Sequence, residues 1–257
     1  MANRQVELQT MLQSLRLPTM AQVCADLALT SAKEGLSHEA FLYELARLEC
    51  ERRTQQRMER LLAQSGLPRE KTFATFQLER LPLPIRGQLE RLRSGEFVKE
   101  AINVVAVGPP GTGKSHLLAA VAHDLVQQGY TVLWTSTAQL MQRLLAAKRD
   151  LRLPQELAKL HRYACLVLDD IGYVQHDQDE MEVLFTLLSD RYEQRSVCLS
   201  TNLVFSEWER IFKNPLTTVA AIDRVVHHSV ILDLMQVRSF RVQQATGHQV
   251  LGATGGS

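Results

Sequence analysis

The chain has 257 residues, 45% of them apolar and 22% charged, with a formal net charge of +1 at pH 7. That apolar share supports a substantial core, and the near-zero total means that any surface for a charged partner has to be local. No apolar run approaches the ~20 residues a membrane span needs; the opening "MANRQVELQT" lacks the centre of a signal peptide, and four scattered cysteines without a C-x-x-C pair point to a reducing cytoplasm.

Residues 1–70 are expected to form a small all-helical domain. "VELQTMLQSLRL" runs to Pro18, and "TMAQVCADLALTSAKEG" stops at Gly35. A longer helix follows from Ser37 to Ser65, with Gly66 and Pro68 as its stop signals. It carries an apolar stripe at Phe41, Leu42, Leu45 and Leu48, then Arg52, Arg53, Arg57 and Arg60 at helical spacing. Those arginines are either a phosphate-binding edge or a solvated face balanced by Glu49, Glu51 and Glu59.

Residues 71–100 read as a connector of short helices broken by Pro82 and Pro84. Its Phe73 and Phe76 either flank a nucleotide base or act as packing between domains. From 101 to 244 strands and helices alternate, the pattern of a parallel sheet covered on both faces. Five strands are expected: "NVVAVG", "TVLWTS" at 131–136, "CLVLDD" at 165–170, "SVCLST" at 196–201 and "SVILDL" at 229–234. Residues 245–257, rich in Gly and Thr without periodicity, are expected to be a disordered tail.

The first strand runs into Gly108, Pro109, Pro110, Gly111, Thr112, Gly113, Lys114 and Ser115, with His116 opening the next helix. This satisfies G-x-x-x-x-G-K-[ST] between a strand and a helix, the context in which that pattern signifies a phosphate loop. Small residues let backbone N–H groups converge on a phosphate, and the helix N-terminus adds its dipole. Lys114 then reaches the β- and γ-phosphates, while the Ser115 hydroxyl is placed for Mg²⁺. The third strand ends in Asp169, assigned to the metal, and Asp170, assigned to the attacking water. The fourth ends at Asn202, which either holds that water or serves a turn. His227 and His228 lack a further ligand at metal spacing and read as a satisfied helix-end pair.

A nucleic-acid surface is expected on residues 143–162. Arg143, Lys148, Arg149, Arg152, Lys159 and Arg162 face only Asp150 and Glu156, six positive against two negative. That local excess of positive charge is either a surface for a phosphate backbone, without reading of bases, or a solvated helical face.

"GPPGTGKSHL", "LVLDDIG", "STNLVFSEWERIF", "AAIDRVVHH" and "SFR" follow one another as in the IstB family, the ATPase helpers of bacterial insertion sequences, and nearly the whole chain resembles it. That family is similar to the DnaC-type helicase loaders, and both are AAA+ ATPases. The resemblance implies an α/β AAA+ P-loop core with a five-stranded parallel sheet, ATP and Mg²⁺ as cofactors, and ATP hydrolysis. It also implies double-stranded DNA and the element's transposase as partners, and an ATP-dependent homo-oligomer. By the same resemblance Asn202 falls at the first sensor, Arg224 at the arginine finger that acts on a neighbouring subunit's γ-phosphate, and Arg241 at a matched C-terminal position. Two departures stand out. Asp170 replaces the usual Glu, and only sixteen residues follow Arg241, too few for a separate C-terminal lid. A helicase loader acting on single strands and a non-hydrolysing nucleotide switch are the competing readings.

Overall fold

The computed structural model describes residues 2–171, 178–209 and 215–240. The chain divides into two compact units, residues 1–60 and 61–257. Arg241 and the 245–257 tail lie outside the described residues.

The first unit is helical: α1 (Ala2–Ser14), α2 (Pro18–Glu34) and α3 (His38–Ser65), the last running through the division. Pro18 starts α2, where a missing N–H costs nothing, and Gly35 ends it at φ +68° with its N–H on the Ser31 carbonyl. Ser37 caps α3 through its hydroxyl, which accepts from the Ala40 N–H at 3.1 Å. Apolar burial is sparse here, with Ala21 and Leu45 the deeply buried apolar side chains described. A buried carboxylate adds the rest: Glu49 accepts from the Thr19 and Met20 N–H groups at 2.8 and 3.1 Å and from Arg53 at 2.8 Å. Burial pushes this carboxyl up, and the bonds from Arg53, Met20 and Thr19 outweigh it, leaving it below the ordinary range. Of the arginine row, Arg53, Arg57 and Arg60 line one cavity with Arg16 and Glu49, and all four members of the row are exposed.

In the second unit two short 3₁₀ turns, Phe73–Thr75 and Leu78–Arg80, lead into α4 (Leu83–Arg93) and α5 (Glu96–Lys99). The stretch breaks at Pro82, as expected, between the second 3₁₀ turn and α4, and the two prolines also start α4, Pro82 as its N-cap and Pro84 in its first turn. Then come β1 (Asn103–Val107), α6 (Lys114–Gln127), β2 (Val132–Ser136), α7 (Thr137–Arg149), α8 (Leu153–His161), β3 (Cys165–Ile171), α9 (Gln178–Arg191), β4 (Ser196–Thr201), α10 (Pro215–Val226) and β5 (Ser229–Asp233). The five strands form one parallel sheet in the order β2-β3-β4-β1-β5.

Strand alternation divides the core. Val104 and Ala106 of β1 pack with α4, α5 and α6, whereas Val105 and Val107 pack with α7, α8, α9 and α10. All four are buried, each side chain contributing about 1–3 kcal/mol through apolar area removed from water. Cys165 and Cys198 bring their sulfurs to 3.4 Å in the α6-side core, and all four cysteines are free thiols. No helix among the described residues is long and apolar enough to cross a membrane.

Candidate functional site

Because every strand is parallel, all C-terminal ends emerge at one rim, and the phosphate loop leaves β1 there. Two of its glycines are required by space. A Cβ on Gly108 would lie 2.9 Å from Leu234 atoms, and one on Gly113 would lie 2.8 Å from the Phe76 ring while Gly113 holds φ +93°. The loop is tied by Thr112, whose hydroxyl donates to the Pro109 carbonyl at 2.9 Å, and by the Phe240 N–H on the Gly111 carbonyl at 2.9 Å. Lys114 folds back over it, donating to the Gly108 and Pro109 carbonyls at 2.7 and 2.9 Å.

Beside the loop lies a cavity of about 430 Å³ lined by Phe76, Gln77, Arg80, Lys114, Ser115 and Phe240, among others. Phe76 and Phe240 approach to 5.4 Å between centroids, and Arg80 stacks 4.9 Å from the Phe240 ring. The two connector phenylalanines therefore part company: Phe76 walls the cavity, while Phe73 packs under Arg93 at 4.7 Å. His116 turns toward the connector, its Nε2 3.0 Å from the Thr72 carbonyl and 3.2 Å from the Thr75 hydroxyl, with its ring edge-on to Phe76.

Asp169 and Asp170 end β3 next to β4, where the register of the ladder shifts between Leu168 and Ile171. Such an irregularity re-aims side chains at a strand end. Asp170 takes φ +64°, a costly conformation for a residue other than glycine. Ser200 on β4 ties the two acids together: its hydroxyl donates to Asp169 Oδ1 at 2.6 Å and accepts from the Asp170 N–H at 2.8 Å. Thr137 adds a bond to the Asp169 carbonyl at 3.1 Å. The Asp170 side chain reaches solvent, yet partial desolvation, followed by the Asp169 charge, raises its carboxyl above the ordinary value, with Lys114 opposing.

Asn202 follows β4 at the same rim, and its Oδ1 is buried without a hydrogen-bond partner among the described residues. Turn chemistry here is carried by its neighbour, since the Thr201 hydroxyl accepts from the Leu203 N–H at 3.1 Å. Arg224 is not brought to this group. The Asn103 amide, at the start of β1, donates to the Arg224 and Val225 carbonyls at 3.2 Å. The Arg224 backbone thus sits at the opposite end of a strand roughly 16 Å long. Its guanidinium donates to the Ala220 carbonyl at 3.0 Å and lies 4.7 Å from the Phe185 ring.

The basic stretch is largely paired. Arg143 binds Glu156, which also takes Lys159 at 3.1 Å; Lys148 binds Asp179 and Glu182 at 3.0 and 2.8 Å; Arg152 binds Asp150 at 2.6 Å. Adding Asp179 and Glu182 to the sequence count leaves six positive against four negative. Arg149 is exposed.

Sequence reasoning missed Ser200, Gln77, Arg80 and Phe240. Ser200 carried little signal of its own, being one of three hydroxyl residues in "SVCLST", and its partners depend on strand register. The donor set suits a nucleotide with a hard cation: a loop whose Gly108 and Gly113 leave no room for a Cβ, one lysine, one hydroxyl at Ser115 and a carboxylate at Asp169.

The family model described as IstB-like ATP binding protein matches residues 10–247. An insertion-sequence ATP-binding protein of Sinorhizobium fredii is 40% identical over 242 residues, 94% of this chain and 81% of its own length. The IS21 ATP-binding protein of Pseudomonas aeruginosa is 33% identical over 238 residues, 93% of this chain and 89% of that protein. Among solved structures, the DnaC helicase loader superposes with a TM-score of 0.51 at 19% identity, covering 64% of this chain and 97% of that one, a likeness of fold.

Proposed function

Because the chain belongs to the family of IstB-like ATP-binding proteins, we propose that it is an ATP-hydrolysing helper of insertion-sequence transposition, which assembles on duplex DNA and assists or regulates the element's transposase. One observation carries the hydrolytic part of this reading: the phosphate loop after β1 and the Ser200-linked acids of β3 stand at the same end of the sheet, with only β4 between them. The insertion-sequence names of the relatives support the biological setting.

Lys114 gives up the Gly108 and Pro109 carbonyls for the phosphates, and the loop N–H groups hold them. Ser115 and Asp169 are the oxygen donors for Mg²⁺, which when bound supplies charge neutralisation across the phosphates. Asp170 orients the attacking water and takes its proton, and the Asn202 Oδ1, without a partner among the described residues, accepts a hydrogen bond from that water. Arg224 stands too far from its own loop to reach a phosphate there, which favours action on a neighbouring copy's nucleotide. Arg143, Lys148, Arg149 and Arg152 are the proposed DNA contacts. Their surface ion pairs are worth only about 0–1 kcal/mol each, so a phosphate backbone can displace the acidic partners.

Labelled duplex and single-stranded DNA, each with and without ATP, test the reading on wild type and Lys114→Ala. Expected is cooperative, ATP-dependent binding that prefers duplex and is lost in the variant. A single-strand preference would overturn it in favour of a helicase loader. A second reading, a nucleotide switch that does not hydrolyse, is favoured by the short acid Asp170 held at φ +64°; duplex binding without phosphate release would establish that one.

A further inference from the structure

The end of the sheet opposite the phosphate loop carries a group that the sequence separated by more than thirty residues. Glu193 follows α9, and His227 and His228 lie in the turn between α10 and β5. One ligand atom from each comes within 4.8 Å of the other two. His228 Nε2 stands 3.7 Å from a Glu193 carboxylate oxygen, longer than a hydrogen bond, and the two imidazoles meet edge-on at 5.0 Å. In a four-coordinate site with bonds of about 2.1 Å, neighbouring ligand atoms stand roughly 3.4 Å apart. Side-chain rotation alone can close the remaining gap, because all three side chains are exposed.

The backbones beneath the three side chains are already fixed. Arg191, two residues before Glu193, is buried and donates to the Leu160, Tyr163 and Ser196 carbonyls, each at 3.0 Å. The turn after it holds Glu193 at φ +54°, with the Gln194 and Arg195 N–H groups on the Arg191 carbonyl. On the other side the His227 N–H bonds the Asp223 carbonyl at 3.0 Å, and the His228 carbonyl accepts from the Asn103 N–H at 2.7 Å. Ligands mounted on backbones pinned to different elements lose little freedom on binding.

We propose that Glu193, His227 and His228 form a binding site for a divalent transition-metal ion, distinct from the Mg²⁺ position at the phosphate loop. Two imidazoles and one carboxylate select zinc, cobalt or nickel over magnesium or calcium, and water fills the remaining positions. The ion ties the turn after α9 to the turn after α10, just beyond Arg224, and so clamps the helix that presents that side chain. Neither ATP nor DNA is needed for it to bind.

The test uses full-length protein without a histidine tag. Co²⁺ is titrated while its visible absorption is followed, and Zn²⁺ is then added to displace it. Wild type is expected to bind about one ion per chain with a Co²⁺ spectrum of low coordination number, bleached by Zn²⁺ and insensitive to excess Mg²⁺. His227→Ala, His228→Ala and Glu193→Gln should each weaken binding by ~10-fold or more, while Lys114→Ala binds as wild type. All three substitutions are at exposed side chains, and matching thermal melts without metal confirm that the variants fold. Absence of saturable binding by wild type, or binding unchanged in all three variants, overturns the proposal.

Discussion

Two asparagines, one at each end of the sheet, show how the same side chain serves opposite ends. Asn103 opens β1 with its amide fully engaged, donating to the Arg224 and Val225 carbonyls and accepting from the Val197 N–H at 2.9 Å. Asn202 closes β4 with a buried oxygen that has no partner among the described residues. The first knits strands to a helix. The second holds an acceptor in reserve, beside a strained Asp170 and a lysine resting on loop carbonyls. A satisfied polar group stabilises the fold, whereas an unsatisfied one at a rim costs stability and is kept for a ligand.

The contrast can be broken by mutation. The largest effect belongs to Arg224→Ala, which should lower ATP turnover of the assembled protein by ~10³-fold while ATP binding to each chain persists. Mixing it with Lys114→Ala should restore part of the turnover, because each chain then supplies what the other lacks. A mixture as inactive as its components would show that Arg224 does not act between copies.

The asparagine pair is the next test. Asn202→Ala should cut turnover by ~10²-fold and leave thermal stability nearly unchanged. Asn103→Ala should instead cost about 3 kcal/mol of stability, since it orphans two carbonyls and an N–H. Denaturant melts with turnover measured on the same samples separate the two outcomes, and equal destabilisation by both would erase the distinction.

Smaller effects sharpen the rim. Ser200→Ala frees the Asp169 carboxylate and the Asp170 N–H, so the Mg²⁺ concentration for half-maximal turnover should rise by ~10-fold with ATP affinity little altered. The pH profile shifts least. Partial desolvation and the Asp169 charge raise the Asp170 carboxyl, and only its ionised form accepts a proton. Turnover should therefore climb with pH through a midpoint above the ordinary carboxylate value, and Asp170→Asn should abolish that limb.

Much of this fold was legible because its signals are local. Buried strands read as short β-branched runs, and the Gly108–Ser115 pattern sits between a strand and a helix, so the five strands and the loop need only near neighbours to be recognised. Ser200 was hidden because its meaning arises from β3–β4 register. Glu193 was hidden for the same kind of reason: the two histidines had no acid at ligand spacing until chain crossovers placed one beside them. The basic stretch looked more charged than it is, because Asp179 and Glu182 reach Lys148 from a later helix. Pro82 and Pro84 were legible as a break between short helices, and the same residues start the next one, since proline is accommodated in a helix's first turn.

The central claim, that the phosphate loop and the acids at this rim hydrolyse ATP in service of a DNA assembly, is tested most directly by phosphate release from wild type and Lys114→Ala, each with and without duplex DNA. Turnover by wild type that rises with duplex and is abolished in Lys114→Ala is the expected result. Equal phosphate release by the two proteins, or none by wild type with duplex present, would contradict it.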